Sequence, residues 1–322
     1  MCIPLIGAGP SRPGASTPPL AIPSLSTWES NMLSYGATHM ANLAGTADDT
    51  KLLATYYDAQ WVFYQIKDYT SDSSWQTGAD RARAVYRDYY VVPNNGGVAG
   101  YWNFTHGLTE DYLRTGNTAS RDAVYSIVDN GAYCSASTPL SSTVDFTLSR
   151  EVAYAIMAYI NAERCGRARN ARLSDLTDQA LGHLDQWFVS NTAPYIKSFM
   201  VGLTAHALIT VYNLTGDSRV QGALTTACNE LWNRNWDAVS QSFTYTKPAH
   251  LPDDPADPAP DLNLLICPLY AWVYQRTGNT THRDRADTIF ASGVANSYLT
   301  QPKIFNQNYR WAFEYVRIRK LV

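Results

Sequence analysis

Leu214-Thr215-Gly216-Asp217 and Arg276-Thr277-Gly278-Asn279 each end a strongly apolar helical run and precede a weakly amphipathic one. Three similar stops read Tyr69-Thr70-Ser71-Asp72, Arg114-Thr115-Gly116-Asn117 and Arg164-Cys165-Gly166. Gly supplies the left-handed residue that ends a helix, and Asp or Asn can cap the next helix. A unit of about 45 to 60 residues that repeats in this way indicates a ring or an array of helical hairpins.

Apolar periodicity predicts twelve helices around these stops. The even-numbered helices are apolar on nearly every side, whereas the odd-numbered helices carry one apolar stripe, so the two kinds differ in expected burial. Their alternation predicts an all-α fold, an (α/α)6 toroid in which outer helices surround inner ones. The alternative is an open solenoid, in which both helices of each repeat should look alike. The predicted ranges are 28–45, 49–68, 74–90, 102–115, 118–132, 149–164, 172–189, 198–214, 217–235, 262–276, 280–297 and 307–319.

The domain organisation follows from the extent of this pattern. Because the hairpins continue over 24–322 without a linker, we expect a single catalytic domain there. Residues 1–23 contain a Pro-, Ser- and Gly-rich stretch and are interpreted as a disordered leader or a linker. They lack the basic region of a signal peptide. We nevertheless expect a secreted or periplasmic protein, with a cytoplasmic one as the alternative.

Composition excludes several classes of function. The formal net charge of −3 argues against a nucleic-acid-binding protein, which would carry a basic stripe. No stretch approaches the ~18 consecutive apolar residues of a membrane span. No cysteine or histidine spacing is typical of a metal site, so we predict neither a metal nor a cofactor. The oligomeric state stays open.

The loops that return from an outer to an inner helix are long, and they predict the functional end of the domain. Long loops in compact domains are usually functional. These loops should meet where the inner helices present their N-termini, with free N–H groups. Aromatic rings mixed with amide and charged groups suit a sugar. The candidate substrate-binding residues are Trp102, Asn103, His106, Arg150, Tyr154, Lys197, Tyr245, Asn308, Tyr309, Arg310 and Trp311.

The alternation of helices, with stops such as Leu214-Thr215-Gly216-Asp217, resembles the six-hairpin glycosidase superfamily. That group includes unsaturated glucuronyl hydrolases, several glucanases and mannanases, and toroidal polysaccharide lyases. The resemblance covers about residues 24–322 and rests on architecture and helix-end chemistry. It implies a carbohydrate-active enzyme that binds a poly- or oligosaccharide. No motif assigns a subfamily, so no catalytic residue is carried over from the superfamily.

Glycoside hydrolysis needs a carboxylic acid and a second carboxylate that acts as base or nucleophile. Asp58 and Glu151 fall within apolar inner helices, where burial raises a carboxyl pKa and suits an acid. Asp145 and Asp261 fall at the N-termini of inner helices, where each can also serve as a simple helix cap. We therefore predict Asp58 or Glu151 as the acid and Asp145 or Asp261 as the base.

Two alternatives to a hydrolase stay open at this point. A polysaccharide lyase would cleave a uronic-acid polymer by β-elimination, with a Tyr or His base and with Asn, Arg or His neutralising the uronate. The residues that offer this set are Asn103, His106, Arg150, Tyr154, Asn308, Tyr309 and Arg310. A non-catalytic glycan-binding domain would have stacking aromatic residues without a carboxyl pair at the required spacing.

Overall fold

The computed structural model describes residues 21–249 and 256–321. The predicted leader, residues 1–23, therefore lies outside the described residues except for 21–23. Within the described ranges the chain is almost entirely helical, which confirms the all-α class. The α-helices are α1 (Leu25–Asn42), α2 (Asp49–Ala54), α3 (Ala59–Thr70), α4 (Gln76–Arg83), α5 (His106–Thr115), α6 (Thr118–Asn130), α7 (Ser149–Arg164), α8 (Arg172–Phe188), α9 (Ser198–Thr215), α10 (Arg219–Asn235), α11 (Asn263–Thr277), α12 (Thr280–Asn296) and α13 (Pro302–Leu321).

Shorter elements complete the described chain. A π-helical segment, Ala84–Val91, continues α4. Four two-residue strands form two antiparallel pairs beside α9, α10 and α12. Strands β1 (Ile196–Lys197) and β4 (Thr246–Lys247) form one pair, and β2 (Trp236–Asp237) and β3 (Ser242–Phe243) form the other. No helix in the described part of the chain is long and apolar enough to cross a membrane.

Buried and half-exposed helices alternate along the chain. Helices α7, α9 and α11 are buried on nearly every side. Helix α8, in contrast, buries one stripe, and its other face is exposed to solvent. The buried stripe includes Leu173, Leu176, Leu184 and Trp187. The two helices of a hairpin are therefore unlike, as the sequence pattern predicts. A helix that is apolar all round requires neighbours on every side.

The contacts between helices follow the same alternation. Helix α3 contacts α5, α5 contacts α7, α7 contacts α9, α9 contacts α11, α11 contacts α13, and α13 returns to α3. Each of the first five also contacts the helix that follows it in sequence, namely α4, α6, α8, α10 or α12. Helix α1 lies against α13 and α4. The chain thus brings its last helix back to its first buried one.

The predicted helix stops are confirmed. Gly216 and Gly278 follow α9 and α11 in the left-handed region, with φ of 71° and 68°. Each donates its N–H to the carbonyl four residues earlier, which satisfies an otherwise free group at the helix end. The side chain of Asn279 then accepts a hydrogen bond from the Thr281 N–H and caps α12.

The predicted helix 49–68 is wrong in one respect, because the chain breaks between α2 and α3. Tyr57 and Asp58 both have positive φ, 66° and 65°. The Asp58 carboxylate caps α3 by accepting the Trp61 N–H. From α13, the Asn306 amide donates to the carbonyls of Ala54 and Tyr56, at 2.8 and 2.9 Å. These carbonyls are freed by the break, so a side chain distant in sequence stabilises it.

The predicted helix 102–115 also begins later, at His106. The residues before it run beside the π-helical segment, where the Tyr86 hydroxyl donates to the Trp102 carbonyl at 2.5 Å. The same hydroxyl accepts the Phe104 N–H at 2.9 Å. Asn161 of α7 donates to the Thr105 hydroxyl at 2.9 Å. Tertiary hydrogen bonds therefore replace the first turn that periodicity predicts.

Candidate active site

Aromatic rings from four chain segments meet beside the starts of α3 and α5. Tyr56 lies edge-on to Trp102 and Phe104, with ring centroids 4.8 and 5.2 Å apart. Phe104 in turn lies 5.6 Å from Tyr154 of α7. Tyr57 lies 5.4 Å from Trp311 of α13. We call these rings, together with the polar residues Asp58, Glu151 and Arg310 beside them, the mouth cluster.

Asp58 is a buried carboxyl group in this cluster. Its side chain Oδ2 accepts the Gly107 N–H of α5 at 3.0 Å, and its Oδ1 accepts the Trp61 N–H at 3.3 Å. Burial raises the pKa of Asp58, while the Arg310 charge and the N–H donors oppose that rise. Left-handed backbone at two successive non-Gly residues is strained, and such strain gathers at functional sites. Asp58 is therefore a helix cap whose burial favours the protonated form.

Glu151 is the second buried carboxyl group. It lies in the first turn of α7 and is 5% exposed. Its Oε1 accepts bonds from Nε and Nη2 of Arg150, at 3.0 and 2.6 Å. Its Oε2 is buried and has no hydrogen-bond partner in the described residues. The Arg150 guanidinium in turn lies 5.4 Å from the Tyr101 ring, on the outer side of the cluster.

Arg310 and two histidines lie deeper. The Arg310 guanidinium lies over Trp311, Phe104 and Tyr154, at 4.7, 5.6 and 6.0 Å from the ring centroids. Burial, with the Arg310 charge, lowers the pKa of His206 to about 3. The pKa of His106 is lowered well below its ordinary value by burial and then by Arg164 and Arg310. Both imidazoles are therefore neutral near pH 7.

Several buried polar atoms of the mouth cluster have no hydrogen-bond partner. A buried polar atom without a partner costs about 1–3 kcal/mol. Several such atoms in one place indicate a site that is completed by a ligand or by water. Those of the described residues in and around the cluster are Glu151 Oε2, Tyr154 Oη, Arg310 Nη1, Trp311 Nε1, Asn103 Oδ1 and both amide atoms of Gln60.

Ion pairs lie at the C-terminal end of α7 and along α5, and Arg164 of this group also lies 3.5 Å from the His106 ring at the start of α5. Arg164, the last residue of α7, binds Glu110 of α5 at 2.5 Å. Arg114 binds Glu110 at 3.1 Å and Asp68 of α3 through two bonds of 2.7 Å. These pairs link the C-terminal ends of α3, α5 and α7.

Asp261 lies at the rim, in the turn before α11. Burial raises its pKa, and the Gln307 side chain and Lys303 lower it. The Gln307 amide also donates to the Asp261 carbonyl at 2.5 Å. Lys303 lies 5.4 Å from the Tyr56 ring, which connects Asp261 to the aromatic part of the cluster.

The predicted binding residues Lys197 and Tyr245 lie at the start of α9. Lys197 belongs to β1, and Tyr245 directly precedes β4, its partner strand. Tyr245 stacks on Phe199 at 5.4 Å, and its carbonyl accepts the Ser198 N–H. Its hydroxyl is close enough to influence the titration of Tyr56 and thus belongs to the rim.

Seven other predicted binding residues lie in or directly below the mouth cluster, namely Trp102, Asn103, His106, Arg150, Tyr154, Arg310 and Trp311. Trp102 packs against Tyr56. The Asn103 amide donates to Cys134 Sγ at 2.9 Å. His106 stacks on Trp61 with ring centroids 4.7 Å apart.

Three predicted site residues lie elsewhere and require correction. Asp145 is exposed, and its carboxylate accepts the N–H and hydroxyl of Thr147, so it is a cap. The Asn308 amide bonds to the Ile304 carbonyl and to Ser297. The Tyr309 hydroxyl bonds to the Trp28 carbonyl of α1. Asn308 and Tyr309 lie on a different face of α13 from Arg310, because successive helical residues are rotated by about 100°.

Sequence reasoning missed the role of Tyr57 and Phe104. Both fall within predicted helices, 49–68 and 102–115, where an aromatic residue in an apolar run is interpreted as core. The signal that was available is the triplet Tyr56-Tyr57-Asp58 before Ala59. Asp is strongly preferred at a helix N-cap, so it marks a possible start of a new helix.

Two shallow clefts lie on the outside of the helices. One of about 380 Å³ is lined by Trp232, Trp236 and Arg285, and one of about 600 Å³ by Tyr212 and Gln221. In the first cleft, the faces of Trp232 are already covered by Trp236 at 4.4 Å and Arg285 at 4.9 Å. Neither cleft contains a buried carboxyl group, so the mouth cluster is the better candidate for catalysis.

The described residues contain no group of three or more His, Cys, Asp or Glu side chains that could hold a metal ion.

Comparisons of the chain with protein-family models, with curated proteins and with solved structures found no match. The functional argument therefore rests on the geometry and chemistry of the mouth cluster.

Proposed function

We propose that the helices form an (α/α)6 toroid of the six-hairpin glycosidase type, with α3, α5, α7, α9, α11 and α13 as the inner ring. The support is the closed sequence of contacts from α3 through α13 and back to α3. The unequal burial of paired helices supports it as well, because only an inner helix is covered on all sides.

Within that architecture, the protein is a glycoside hydrolase that binds a poly- or oligosaccharide at the N-terminal ends of the inner helices. One observation carries this proposal. Two buried carboxyl groups, Asp58 and Glu151, lie beside the same aromatic rings: Asp58 directly follows Tyr57, and Glu151 is close enough to Tyr56 and Tyr154 to raise the pKa of both hydroxyls. Aromatic faces suit the C–H faces of sugar rings, and a carboxyl pair is what glycoside hydrolysis requires.

Asp58 serves as the general acid. Its pKa is raised mainly by burial, so protonation is favoured relative to an exposed aspartate. An acid of this kind protonates the leaving glycosidic oxygen as the bond to the anomeric carbon breaks. The Gly107 and Trp61 N–H groups fix the direction of the carboxyl group.

Glu151 serves as the second carboxylate. Arg150 holds Oε1 through two bonds and thus leaves Oε2 available to a water molecule or to the anomeric carbon. The ion pair fixes the orientation of Glu151 at the top of α7. Asp261, beside Lys303 at the rim, is the alternative for this role.

The lyase alternative receives less support from the same cluster. A tyrosine base must lose its proton, and burial raises the pKa of Tyr154 well above its ordinary value. Burial likewise holds His106 and His206 neutral, which keeps them as possible bases. The products separate the two reactions, because β-elimination leaves a C=C bond that absorbs in the ultraviolet and hydrolysis does not.

The test is a screen of neutral and uronic-acid polysaccharides that measures new reducing ends and double-bond absorbance together. We expect reducing ends without absorbance from the wild type. D58N should lose about 10²-fold or more in kcat, the usual contribution of general acid catalysis. E151Q should be similarly impaired. D145N is the matched control, because Asp145 is an exposed cap, and it should retain activity.

Circular dichroism establishes that each variant is folded. Double-bond absorbance with the wild type would identify a lyase, and the absence of both signals would favour a glycan-binding domain. Full activity in both folded D58N and E151Q would exclude the carboxyl pair proposed here. If D261N loses activity and E151Q stays active, the second carboxylate is Asp261 and not Glu151.

A further inference from the structure

Arg310 differs from the other arginines near the mouth cluster in its partners. Arg150 is paired with Glu151 at 2.6 Å, and Arg164 with Glu110 at 2.5 Å. The Arg310 side chain is 6% exposed, and its Nη1 has no hydrogen-bond partner among the described residues. Within the same ranges no carboxylate forms an ion pair with it, and its neighbours are rings. A buried charge without an ionic partner is costly.

The rings around Arg310 compensate this charge only in part. A cation over an aromatic face gains about 0.5–2 kcal/mol. The remaining groups that respond to its charge are Asp58, His106, His206, Tyr86 and Tyr154. Among these groups only Asp58 can be anionic near pH 7, and a general acid must be protonated when it acts. With Asp58 protonated, therefore, Arg310 has no anionic partner within ion-pair distance among the described residues.

We propose that Arg310 binds the carboxylate of an acidic sugar residue, so that the substrate is a uronic-acid-containing oligosaccharide. This rests on the function proposed above. The guanidinium fork matches a carboxylate geometrically and binds it through charge-assisted hydrogen bonds. The rings of Phe104, Trp311 and Tyr154 surround the guanidinium and provide apolar surface for the sugar ring. The neutral imidazoles of His106 and His206 lie nearby and can each donate one N–H.

The arrangement also distinguishes acidic from neutral sugars. A neutral hydroxyl would leave the Arg310 charge uncompensated, whereas a carboxylate would neutralise it while Asp58 remains protonated. A substrate carboxylate beside Asp58 would further favour the protonated form of that carboxyl group, because like charges repel. Substrate recognition and proton retention would thus depend on the same arginine.

Calorimetric titration with oligosaccharides of galacturonate or glucuronate, and with the matching neutral oligosaccharides, tests this proposal without requiring turnover. The wild type should bind the acidic series at least about 10-fold more tightly, the effect of one charge-assisted pair. R310Q should remove that preference, and R310K should retain part of it. R121Q is the control, because Arg121 lies over the Tyr112 and Tyr125 rings and pairs with Asp122 on the outer surface.

A measurement on the wild-type protein alone covers the case in which R310Q does not fold. Glucuronate should shift the imidazole NMR signals of His106 and His206 and raise their apparent pKa values, whereas glucose should not. Equal affinity for both series, or an unchanged preference in folded R310Q, would overturn the inference. Hydrolysis of neutral glycans with full activity in R310Q would do so while leaving the hydrolase proposal intact. Binding of uronates without cleavage of any substrate would support this inference and contradict the hydrolase proposal.

Discussion

Replacement of Gly107 by Ala tests the contact between α5 and the candidate acid. Gly107 is the second residue of α5, and its N–H donates to Asp58 Oδ2 at 3.0 Å. A Cβ atom at this position would lie 2.5 Å from Asp58 Oδ1, 2.7 Å from Gln60 Cβ and 2.9 Å from Trp61 N. Two of these atoms belong to the start of α3 and cannot simply rotate away. The substitution must therefore displace either helix or the Asp58 carboxyl group.

The magnitude follows from three contributions. Overpacking of a tight contact costs about 1–3 kcal/mol, and a weakened hydrogen bond to a buried carboxylate costs about 1.5–3 kcal/mol. The higher helix propensity of Ala stabilises the folded state by about 1 kcal/mol and offsets part of this cost. We expect G107A to lower the free energy of unfolding by about 1.5–5 kcal/mol. With an unfolding entropy of about 2.1 cal/mol/K per residue, this lowers Tm by roughly 2–7 °C.

The assay is thermal unfolding followed by circular dichroism, together with kcat on the substrate that the glycan screen identifies. G182A in α8 is the matched control, because a Cβ atom there has nothing within 4 Å. It should leave stability unchanged or raise it by up to about 1 kcal/mol. A G107A protein with the Tm and kcat of the wild type would refute the close contact and, with it, the positioning of Asp58 by α5.

Two further predictions concern buried charge. Asp111 is fully buried and accepts bonds from Tyr64 and Arg83, at 2.8 and 3.2 Å. D111N should therefore cost about 3–5 kcal/mol in denaturant titrations, whereas D122N at an exposed pair should cost less than about 1 kcal/mol; equal losses would contradict this reasoning. Because the folded pKa of His206 is about 3 and its ordinary value 6.5, the unfolded chain takes up the proton first. Wild-type stability should thus fall as pH drops from about 6.5 towards 3, and H206Q should lose less stability in that interval; identical pH profiles would exclude a buried neutral imidazole.

Helix content and the alternation of buried and half-exposed helices could be predicted from the sequence because both depend on local properties. A residue such as Gly216 ends a helix wherever it occurs, since only the backbone around it is involved. Apolar periodicity likewise indicates how much of a helix surface must be buried against other elements. The same reasoning grouped Trp102, Arg150 and Arg310 in one candidate site, and the structure places all three in or beside the mouth cluster.

The positions of the helix breaks and the uses of individual polar groups were decided by tertiary contacts. The break before Asp58 is stabilised by Asn306, which is about 250 residues away in sequence. Asp145 and Asp58 both precede a helical turn, and only the packing of α5 against α3 buries one of them. A carboxyl group acquires its pKa from burial and from neighbouring charges, which are properties of the assembled fold. The sequence by itself therefore determined where each helix is apolar and where it ends, and the tertiary structure decided which acids are buried beside Arg310.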